Sequence, residues 1–296
     1  MISQKPFQLY GIVGFPVKHT LSPVMQEAAF VRSNIKAYYL ALELDPGAFR
    51  NIMRKLPRLV LSGFNVTVPY KEKVIAYLDQ LTPEARSVGA VNTVFRKGKK
   101  WVGANTDIDG FLTSLKKDGG FNPKGKKVLV FGAGGAARGV VYGLCREGAK
   151  SVWVANRRLS RAQKIAKDMK HHFPKTGWQT SGLSETSVKA AFDSVDLVIH
   201  ATSVGLSSKE ASLFPYALIP AAKKKKILFL DLIYDPEETN ILKAARRKGH
   251  RTLGGAGMLL YQGAKAFEYW TGKKAPVLEM KQALLKALKE RKRDYA

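Results

Sequence analysis

The chain has few cysteines, few acidic residues and no long apolar run. Cys145 is the only cysteine among 296 residues, which excludes an intramolecular disulfide and a cluster of thiolate metal ligands. No apolar run approaches the roughly 20 residues that a membrane-spanning helix requires. The first residues, Met-Ile-Ser-Gln-Lys-Pro-Phe, lack the apolar core of a signal peptide. These absences predict a cytoplasmic protein with no membrane partner.

Only 23 acidic residues oppose 50 lysines and arginines, so the formal net charge is +27. Such a balance is typical of proteins that bind nucleic acid. The basic residues are scattered from Lys5 to Arg293, however, and the densest run, Lys223 to Lys226, lies where we expect a solvated loop. Aromatic residues are not interleaved with these lysines as single-strand binding requires. We interpret the charge as a general bias that attracts anionic small molecules, with a basic nucleic-acid-binding protein as the alternative.

Strand-like and helix-like runs alternate along most of the chain. From Phe7 to about Val102 this alternation predicts an α/β domain with a parallel sheet, and a second α/β unit begins at Lys127. The segment 172–187 has no clear pattern. The predicted strands are 9–13, 38–42, 63–68, 127–131, 151–155, 196–200 and 227–231; the predicted helices are 22–31, 46–56, one ending near 146, 160–170, and two between 256 and 291.

A glycine-rich loop, Gly132-Ala-Gly-Gly-Ala136, joins a predicted strand to a predicted helix. Glycines permit a tight turn and close backbone approach, and the helix N-terminus supplies unpaired N–H groups to a pyrophosphate. Ala137 takes the place of the usual third glycine. Any tight strand–helix turn can use glycine. The prediction of a dinucleotide site therefore rests on the predicted strand before the loop and the predicted helix after it. The predicted pyrophosphate-binding residues are Gly132, Ala133, Gly134, Gly135 and Ala136.

The end of the next strand indicates which dinucleotide binds. An NAD site has Asp or Glu there to hold the ribose 2′-hydroxyl, whereas this chain reads Asn156-Arg157-Arg158-Leu-Ser-Arg161. Guanidinium groups bind phosphate by charge and by paired hydrogen bonds. In a chain this basic the arginines can be incidental, but their position favours NADP. We therefore predict a Rossmann-type NADP-binding domain with Asn156, Arg157, Arg158 and Arg161 at the 2′-phosphate.

Two other stretches place a lysine and a carboxylate at the ends of apolar runs, Asn65-Val-Thr-Val-Pro-Tyr-Lys71 and Asn105-Thr-Asp107. A dehydrogenase uses such a pair to move a hydroxyl proton while hydride leaves the same carbon. A protonated Lys71 would stabilise charge on a ketone oxygen and then donate its proton. The alternative is that Lys71 is one of many solvated surface lysines.

Hydroxyl and amide groups lie close to other predicted strand ends. In His19-Thr-Leu-Ser-Pro23, Thr20 and Ser22 lie two residues apart at a strand–helix junction. Ser22 is either the N-cap, with proline at the first helical position, or one of a pair that binds a carboxylate at the helix N-terminus. Asn92, in Gly89-Ala-Val-Asn-Thr93, precedes another strand.

Together these motifs resemble the shikimate dehydrogenase family, over nearly the whole chain and in the family's order. The matching elements are His19–Pro23, Asn65–Lys71, Gly89–Thr93, Gly103–Asp107, the glycine loop, Asn156–Arg161, Asp231–Pro236 and Gly257–Gln262. The resemblance implies NADP-dependent, reversible reduction of 3-dehydroshikimate to shikimate in aromatic amino-acid biosynthesis. It also implies an α/β fold with two domains and a cleft between them. The substrate domain would comprise residues 1–104, completed by C-terminal helices at 251–296, and the NADP domain residues 105–250.

The resemblance also assigns residue roles. Lys71 would be the acid/base group and Asp107 its partner, while Thr20 and Ser22 would hold the substrate carboxylate. The residues expected at the ring hydroxyls are Thr67, Asn92, Asp107 and Gln262, with Tyr234 closing the pocket from the cofactor domain. Those expected on the nicotinamide side are Thr202, Leu232, Gly255 and Met258.

The chain departs from the family pattern at four positions. Thr20 replaces a usual serine, His200 a usual asparagine, and Gly254 and Ala256 the usual Asp and Leu. Thr20 leaves open a quinate/shikimate dehydrogenase with broader substrate or NAD use, although Arg157 and Arg161 argue against a preference for NAD. The other three changes concern the nicotinamide contact. A folate-linked methylene dehydrogenase is a second alternative, although it gives no reason for the Thr20/Ser22 pair.

The five histidines show no metal-ligand spacing, so no metal is predicted. The expected partners are small molecules, with the chain acting as a monomer or a homodimer.

Overall fold

The computed structural model describes residues 7–206, 212–223 and 225–294. The chain divides into two compact units, one formed by Met1–Gly110 with Leu259–Ala296 and the other by Phe111–Met258. The domain boundaries predicted from the sequence lie between residues 104 and 105 and between residues 250 and 251. Both observed divisions lie a few residues further along the chain, and each falls within a helix.

Strands and helices alternate along the described residues. The strands are β1 (Gln8–Gly14), β2 (Ala37–Glu43), β3 (Gly63–Val66), β4 (Gln80–Leu81), β5 (Thr93–Lys97), β6 (Lys100–Ala104), β7 (Lys127–Phe131), β8 (Ser151–Ala155), β9 (Gly177–Ser181), β10 (Leu197–His200), β11 (Leu228–Asp231) and β12 (Arg251–Leu253). The α-helices are α1 (Ser22–Arg32), α2 (Pro46–Arg54), α3 (Pro83–Val88), α4 (Asp107–Lys117), α5 (Gly135–Arg146), α6 (Leu159–His172), α7 (Glu185–Ser194), α8 (Asn240–Arg247), α9 (Ala256–Thr271) and α10 (Val277–Asp294). The predicted strands and helices are present, although β3 and α2 are two residues shorter than predicted, and the segment without a pattern contains β9.

The first unit contains a mixed sheet, with strand order β2-β1-β3-β5-β6-β4. Strands β1, β2 and β3 are parallel, but β5 runs antiparallel to both β3 and β6. The prediction of a parallel sheet therefore holds for β1, β2 and β3, the strands predicted in this region, but not for β5. The reason is local: only two residues separate β5 from β6, with Gly98 at φ +62°, and a parallel connection needs a crossover of a dozen or more residues.

The second unit contains a fully parallel sheet with strand order β12-β11-β10-β7-β8-β9. The chain moves outward in one direction from β7 through β8 to β9, then returns to the other side of β7 for β10, β11 and β12. This is the doubly wound order of a dinucleotide-binding fold. The direction of winding changes between β7 and β10, and in such sheets the ligand binds outside the carboxyl ends of those two strands.

Helix α5 follows β7 and packs along this sheet with its apolar face buried. Cys145, near the end of α5, is 5% exposed, and burial raises the pKa of its thiol to about 12 despite a hydrogen bond with Thr176 that lowers it. None of the helices in the described ranges is long and apolar enough to cross a membrane.

Candidate active site

The predicted acid/base pair lies at one edge of the first sheet. Because β5 is antiparallel to its neighbours, its first residue lies beside the carboxyl ends of β3 and β6. Lys71 follows β3, and Asp107 follows β6 as the first residue of α4. Lys71 Nζ lies 2.5 Å from Asp107 Oδ2, and the side chains are 12% and 5% exposed. Lys71 is therefore not a solvated surface lysine.

Asn92 joins this pair through an amide whose orientation is fixed. The Thr106 backbone N–H donates to Asn92 Oδ1 over 2.7 Å, so the Asn92 amino group points the other way. It donates to Asp107 Oδ1 over 2.8 Å and to Gln262 Oε1 over 3.3 Å. One Asp107 oxygen therefore faces Lys71 and the other faces Asn92, and four of the predicted residues form one cluster.

The backbone at Lys71 is held by its neighbours. The Tyr70 ring stacks on Phe49 with centroids 3.9 Å apart and planes 5° apart. The Tyr70 hydroxyl donates to the Leu44 carbonyl over 2.5 Å, and the Val91 N–H donates to the Lys71 carbonyl over 2.8 Å. The lysine is therefore presented from a rigid turn, as a group that must meet one substrate atom requires.

The Thr20/Ser22 pair begins α1, but not in the way the capping hypothesis states. Leu21 is the N-cap and makes no side-chain capping bond, and Ser22 is the first helical residue. The prediction of Ser22 as N-cap is therefore wrong. The Ser22 N–H donates to the Thr20 side-chain oxygen over 3.2 Å. The Thr20 hydroxyl donates to the Ser22 side-chain oxygen, also over 3.2 Å. Two hydroxyls and a helix N-terminus thus converge, as the carboxylate-binding hypothesis requires.

A buried polar chain connects Ser22 to the cluster around Asn92. The Ser22 side chain interacts with the Tyr39 hydroxyl and lowers the pKa of Tyr39. The Tyr39 hydroxyl donates to Asn65 Oδ1 over 2.7 Å. Asn65 Nδ2 then donates to the Asn92 carbonyl and to Thr93 Oγ1, both over 3.0 Å. Burial raises the pKa of Tyr39 well above its usual value, opposed by the Ser22 bond. The phenol therefore stays protonated and keeps donating.

The buried hydrogen-bond network includes four residues to which the sequence analysis assigned no role. Tyr39, Asn65, Thr93 and Thr106 each bond to a predicted site residue or to one another. One signal was available: Asn65 is a polar residue within an apolar strand, and a buried amide needs partners.

Thr67, which is predicted to bind a ring hydroxyl, is half-buried. Its N–H donates to the Val13 carbonyl over 2.9 Å, and its methyl group leaves no room for a Cβ at Gly14.

The glycine loop in the second unit has the shape that a pyrophosphate requires. Gly132 has φ +115°, and a Cβ there would lie 2.6 Å from the Ala201 carbonyl oxygen, so other residues are excluded. Gly134 is the N-cap of α5 without a capping side chain, and a Cβ there would meet no atom within 4 Å. The first turn of α5 therefore faces open space with its N–H groups available. Ala133, Gly135 and Ala136 complete the loop.

Three exposed arginines follow β8, the neighbour of β7. Arg157, Arg158 and Arg161 are all exposed at the start of α6, whose N-cap, Arg158, makes no side-chain capping bond. Asn156 Nδ2 donates to the Arg158 carbonyl over 2.9 Å and closes the turn. Guanidinium charge and a helix N-terminus both favour an anion, so these residues fit a 2′-phosphate.

Models of one protein family match three segments of this chain. Residues 12–94 match the shikimate dehydrogenase substrate binding domain, 114–236 match shikimate / quinate 5-dehydrogenase, and 255–285 match the shikimate 5′-dehydrogenase C-terminal domain. The chain is 43% identical over 272 residues to a shikimate dehydrogenase (NADP(+)) from Aquifex aeolicus, covering 91% of this chain and 93% of the relative. The chain belongs to the shikimate dehydrogenase family.

Solved structures support the same family. The chain is similar to a shikimate dehydrogenase crystallised with NADP+, with TM-score 0.85, 33% identity, and coverage of 95% and 96% of the two chains. It is also similar to the Thermus thermophilus enzyme crystallised with NADP(H) and shikimate, with TM-score 0.81, 35% identity, and coverage of 95% and 100%. The family and the two-domain α/β fold predicted from the motifs are confirmed.

The remaining residues that the shikimate dehydrogenase resemblance singled out lie at the carboxyl ends of β10, β11 and β12. Gly255 packs so closely on the Leu232 and Ile233 carbonyls that a Cβ would collide with them, and its N–H donates to the Ile233 carbonyl over 3.0 Å. Thr202 follows β10 and Met258 is buried in α9. Tyr234 is half-buried after β11. All of them belong to the second unit.

Proposed function

We propose that this chain is an NADP-dependent oxidoreductase that reversibly reduces 3-dehydroshikimate to shikimate in aromatic amino-acid biosynthesis. The observation that carries the proposal is the buried Lys71–Asp107 contact of 2.5 Å, inside a chain whose relatives are named for this reaction. NADPH would supply the hydride when bound at the glycine loop. A cytoplasmic location and action as a monomer or homodimer belong to the same proposal.

In this proposal Lys71 is the general acid in the reduction and the general base in the oxidation. Its ammonium group donates a hydrogen bond to the ketone oxygen, stabilises the negative charge that develops there, and then transfers a proton to it. Asp107 accepts from Lys71 through Oδ2 and thereby holds Nζ in place. In the oxidation direction a neutral Lys71 removes the hydroxyl proton.

Substrate binding would divide between two ends of the network. Thr20 and Ser22 would bind the carboxylate at the N-terminus of α1. The ring hydroxyls would bind to Thr67, Asn92, Asp107 and Gln262, with Tyr234 as a further ligand. The Tyr39–Asn65 connection would keep the two ends at a fixed spacing.

Cofactor binding would use the second unit. The five loop residues from Gly132 to Ala136 would hold the pyrophosphate, and Asn156 with the three exposed arginines would hold the 2′-phosphate. Thr202, Leu232, Gly255 and Met258 would border the nicotinamide.

One assay tests the proposal: oxidation of shikimate and of quinate by the purified protein, each with NADP and with NAD. We expect the highest kcat/KM for shikimate with NADP. A preference for quinate or for NAD would favour the broader quinate/shikimate alternative. That alternative is supported by the shikimate / quinate family description and by the methyl group of Thr20. No oxidation of either substrate would overturn the proposal.

A further inference from the structure

Three polar side chains in contact, Asp231, His200 and Thr202, lie at the carboxyl ends of β10 and β11. His200 and Asp231 end the two strands and are register partners in the parallel pair. They are 2% and 0% exposed. The proposed chemistry of Lys71 uses neither residue, so this buried acid and imidazole require another explanation.

Asp231 is held without the help of His200. Its Oδ2 accepts from the Thr239 hydroxyl over 2.6 Å, and its Oδ1 accepts from the Ile233 N–H over 3.0 Å. Two donors therefore fix the carboxylate plane at the end of β11. The same Oδ1 lies 3.0 Å from His200 Nδ1.

This distance decides where His200 carries a proton. An unprotonated Nδ1 carries partial negative charge, which a carboxylate oxygen only 3.0 Å away repels. The negative charge of Asp231 therefore favours a proton on Nδ1, although Nδ1 makes no hydrogen bond. Which ring nitrogen of a histidine carries the proton is set by the groups that surround it.

The other nitrogen of His200 holds Thr202. Nε2 lies 2.5 Å from Thr202 Oγ1, and the same oxygen accepts from the Val204 N–H over 3.2 Å. The hydroxyl is thus tied both to the imidazole and to the backbone of its own turn. This turn, residues 201–204, is the segment that leaves β10.

The 201–204 turn lies against the glycine loop. The Ala201 N–H donates to the Phe131 carbonyl over 2.8 Å. A Cβ at Gly132 would lie 2.6 Å from the Ala201 carbonyl oxygen and 3.1 Å from Thr202 Cγ2. The turn and the loop therefore border the crevice between β7 and β10 where the winding of the sheet changes direction.

We propose that His200 is a positioning residue for the dinucleotide. Asp231 keeps a proton on Nδ1, Nε2 engages the Thr202 hydroxyl, and the 201–204 turn is thereby fixed beside the glycine loop. The inference rests on the proposed function in one respect, namely that this crevice binds NADP.

Nitrogen-15 NMR of the nucleotide-free protein tests the arrangement directly. We expect Nδ1 of His200 to show the chemical shift of a protonated ring nitrogen at about neutral pH, with the signals assigned by their loss in His200→Asn. An unprotonated Nδ1 would overturn the proposal.

A double-mutant cycle on the Kd for NADP, measured by titration calorimetry, tests the effect on binding. His200→Asn keeps an amide near Nδ1 for Asp231 but removes the contact to Thr202, and Thr202→Val removes the hydroxyl while keeping the side-chain shape. We expect each variant to raise Kd about threefold to tenfold, and the double variant no more than the weaker-binding single variant.

Multiplied effects in the double variant, or an unchanged Kd in His200→Asn while the wild type binds NADP, would overturn the positioning role alone. Failure of the wild-type protein to bind NADP would overturn the proposed function as well. The two failures are therefore distinguishable.

Discussion

The two candidate sites of this chain are built in opposite ways. In the first unit, buried polar groups are hydrogen-bonded in sequence from Tyr39 through Asn65 to Asn92 and Asp107. In the second unit, the loop at Gly132–Ala136 offers backbone N–H groups and open space, and the arginines after β8 are exposed. The first site is organised before any ligand arrives, whereas the second presents charge and backbone donors to solvent.

The difference has energetic consequences. Removing one member of a buried network leaves its partners without hydrogen bonds, which costs folding free energy as well as activity. Removing an exposed arginine leaves nothing unsatisfied, so the loss should be confined to ligand binding. Salt should also weaken the second site more than the first, because exposed charges are screened.

The largest effect should come from Lys71→Ala. We expect kcat to fall about 100-fold or more, with little change in KM, because the variant loses proton transfer and charge stabilisation but keeps the substrate's other ligands. Steady-state kinetics with shikimate and NADP measure this.

Lys73→Ala is the matched control, since Lys73 is an exposed lysine two residues along the chain. It should behave as wild type. Near-wild-type kcat in Lys71→Ala would show that the buried pair is structural only.

The second effect should be seen in Arg157→Ala. We expect KM for NADP to rise about tenfold or more while KM for NAD changes little, because only NADP carries the 2′-phosphate that a charge-assisted hydrogen bond would reach. The free energy of unfolding should stay within about 0.5 kcal/mol of wild type.

Arg247→Ala, at an exposed position at the end of α8, controls for the general loss of positive charge. Equal rises in KM for the two cofactors would mean that Arg157 does not bind the phosphate.

The smallest effect on catalysis, but a clear effect on stability, should come from Tyr39→Phe. The variant leaves Asn65 Oδ1 without its donor inside the first unit, so we expect a loss of about 1–3 kcal/mol in the free energy of unfolding. Urea titration measures this. Tyr38→Phe, at a neighbouring position that is 60% exposed, should change stability by less than about 0.5 kcal/mol. Equal losses in both variants would show that the buried hydrogen bond from Tyr39 to Asn65 does not stabilise the first unit.

The sequence showed the candidate residues that lie in short local motifs. The glycine loop lies directly after β7 and the arginines lie directly after β8. The parallel order of the second sheet follows from its alternating elements. Lys71 and Asp107 were also found, because each closes a strand-like run. Their 2.5 Å contact is a property of the folded chain.

What the sequence did not reveal depends on contacts between distant segments. Tyr39 reads as one more apolar residue of a strand, and its partner Asn65 is 26 residues away. The hairpin between β5 and β6 was missed because the Gly98 turn was given no weight against the alternating pattern. The contact between His200 and Asp231 arises only when β10 and β11 pair in register.

The lone thiol has a practical consequence for experiments on this chain. With a pKa of about 12 and 5% exposure, Cys145 is a protonated, shielded thiol at neutral pH and should resist alkylation and mild oxidants. A cysteine introduced at an exposed position would thus be the single reactive one. Fluorophores or spin labels can then be attached to the otherwise wild-type chain at one chosen site.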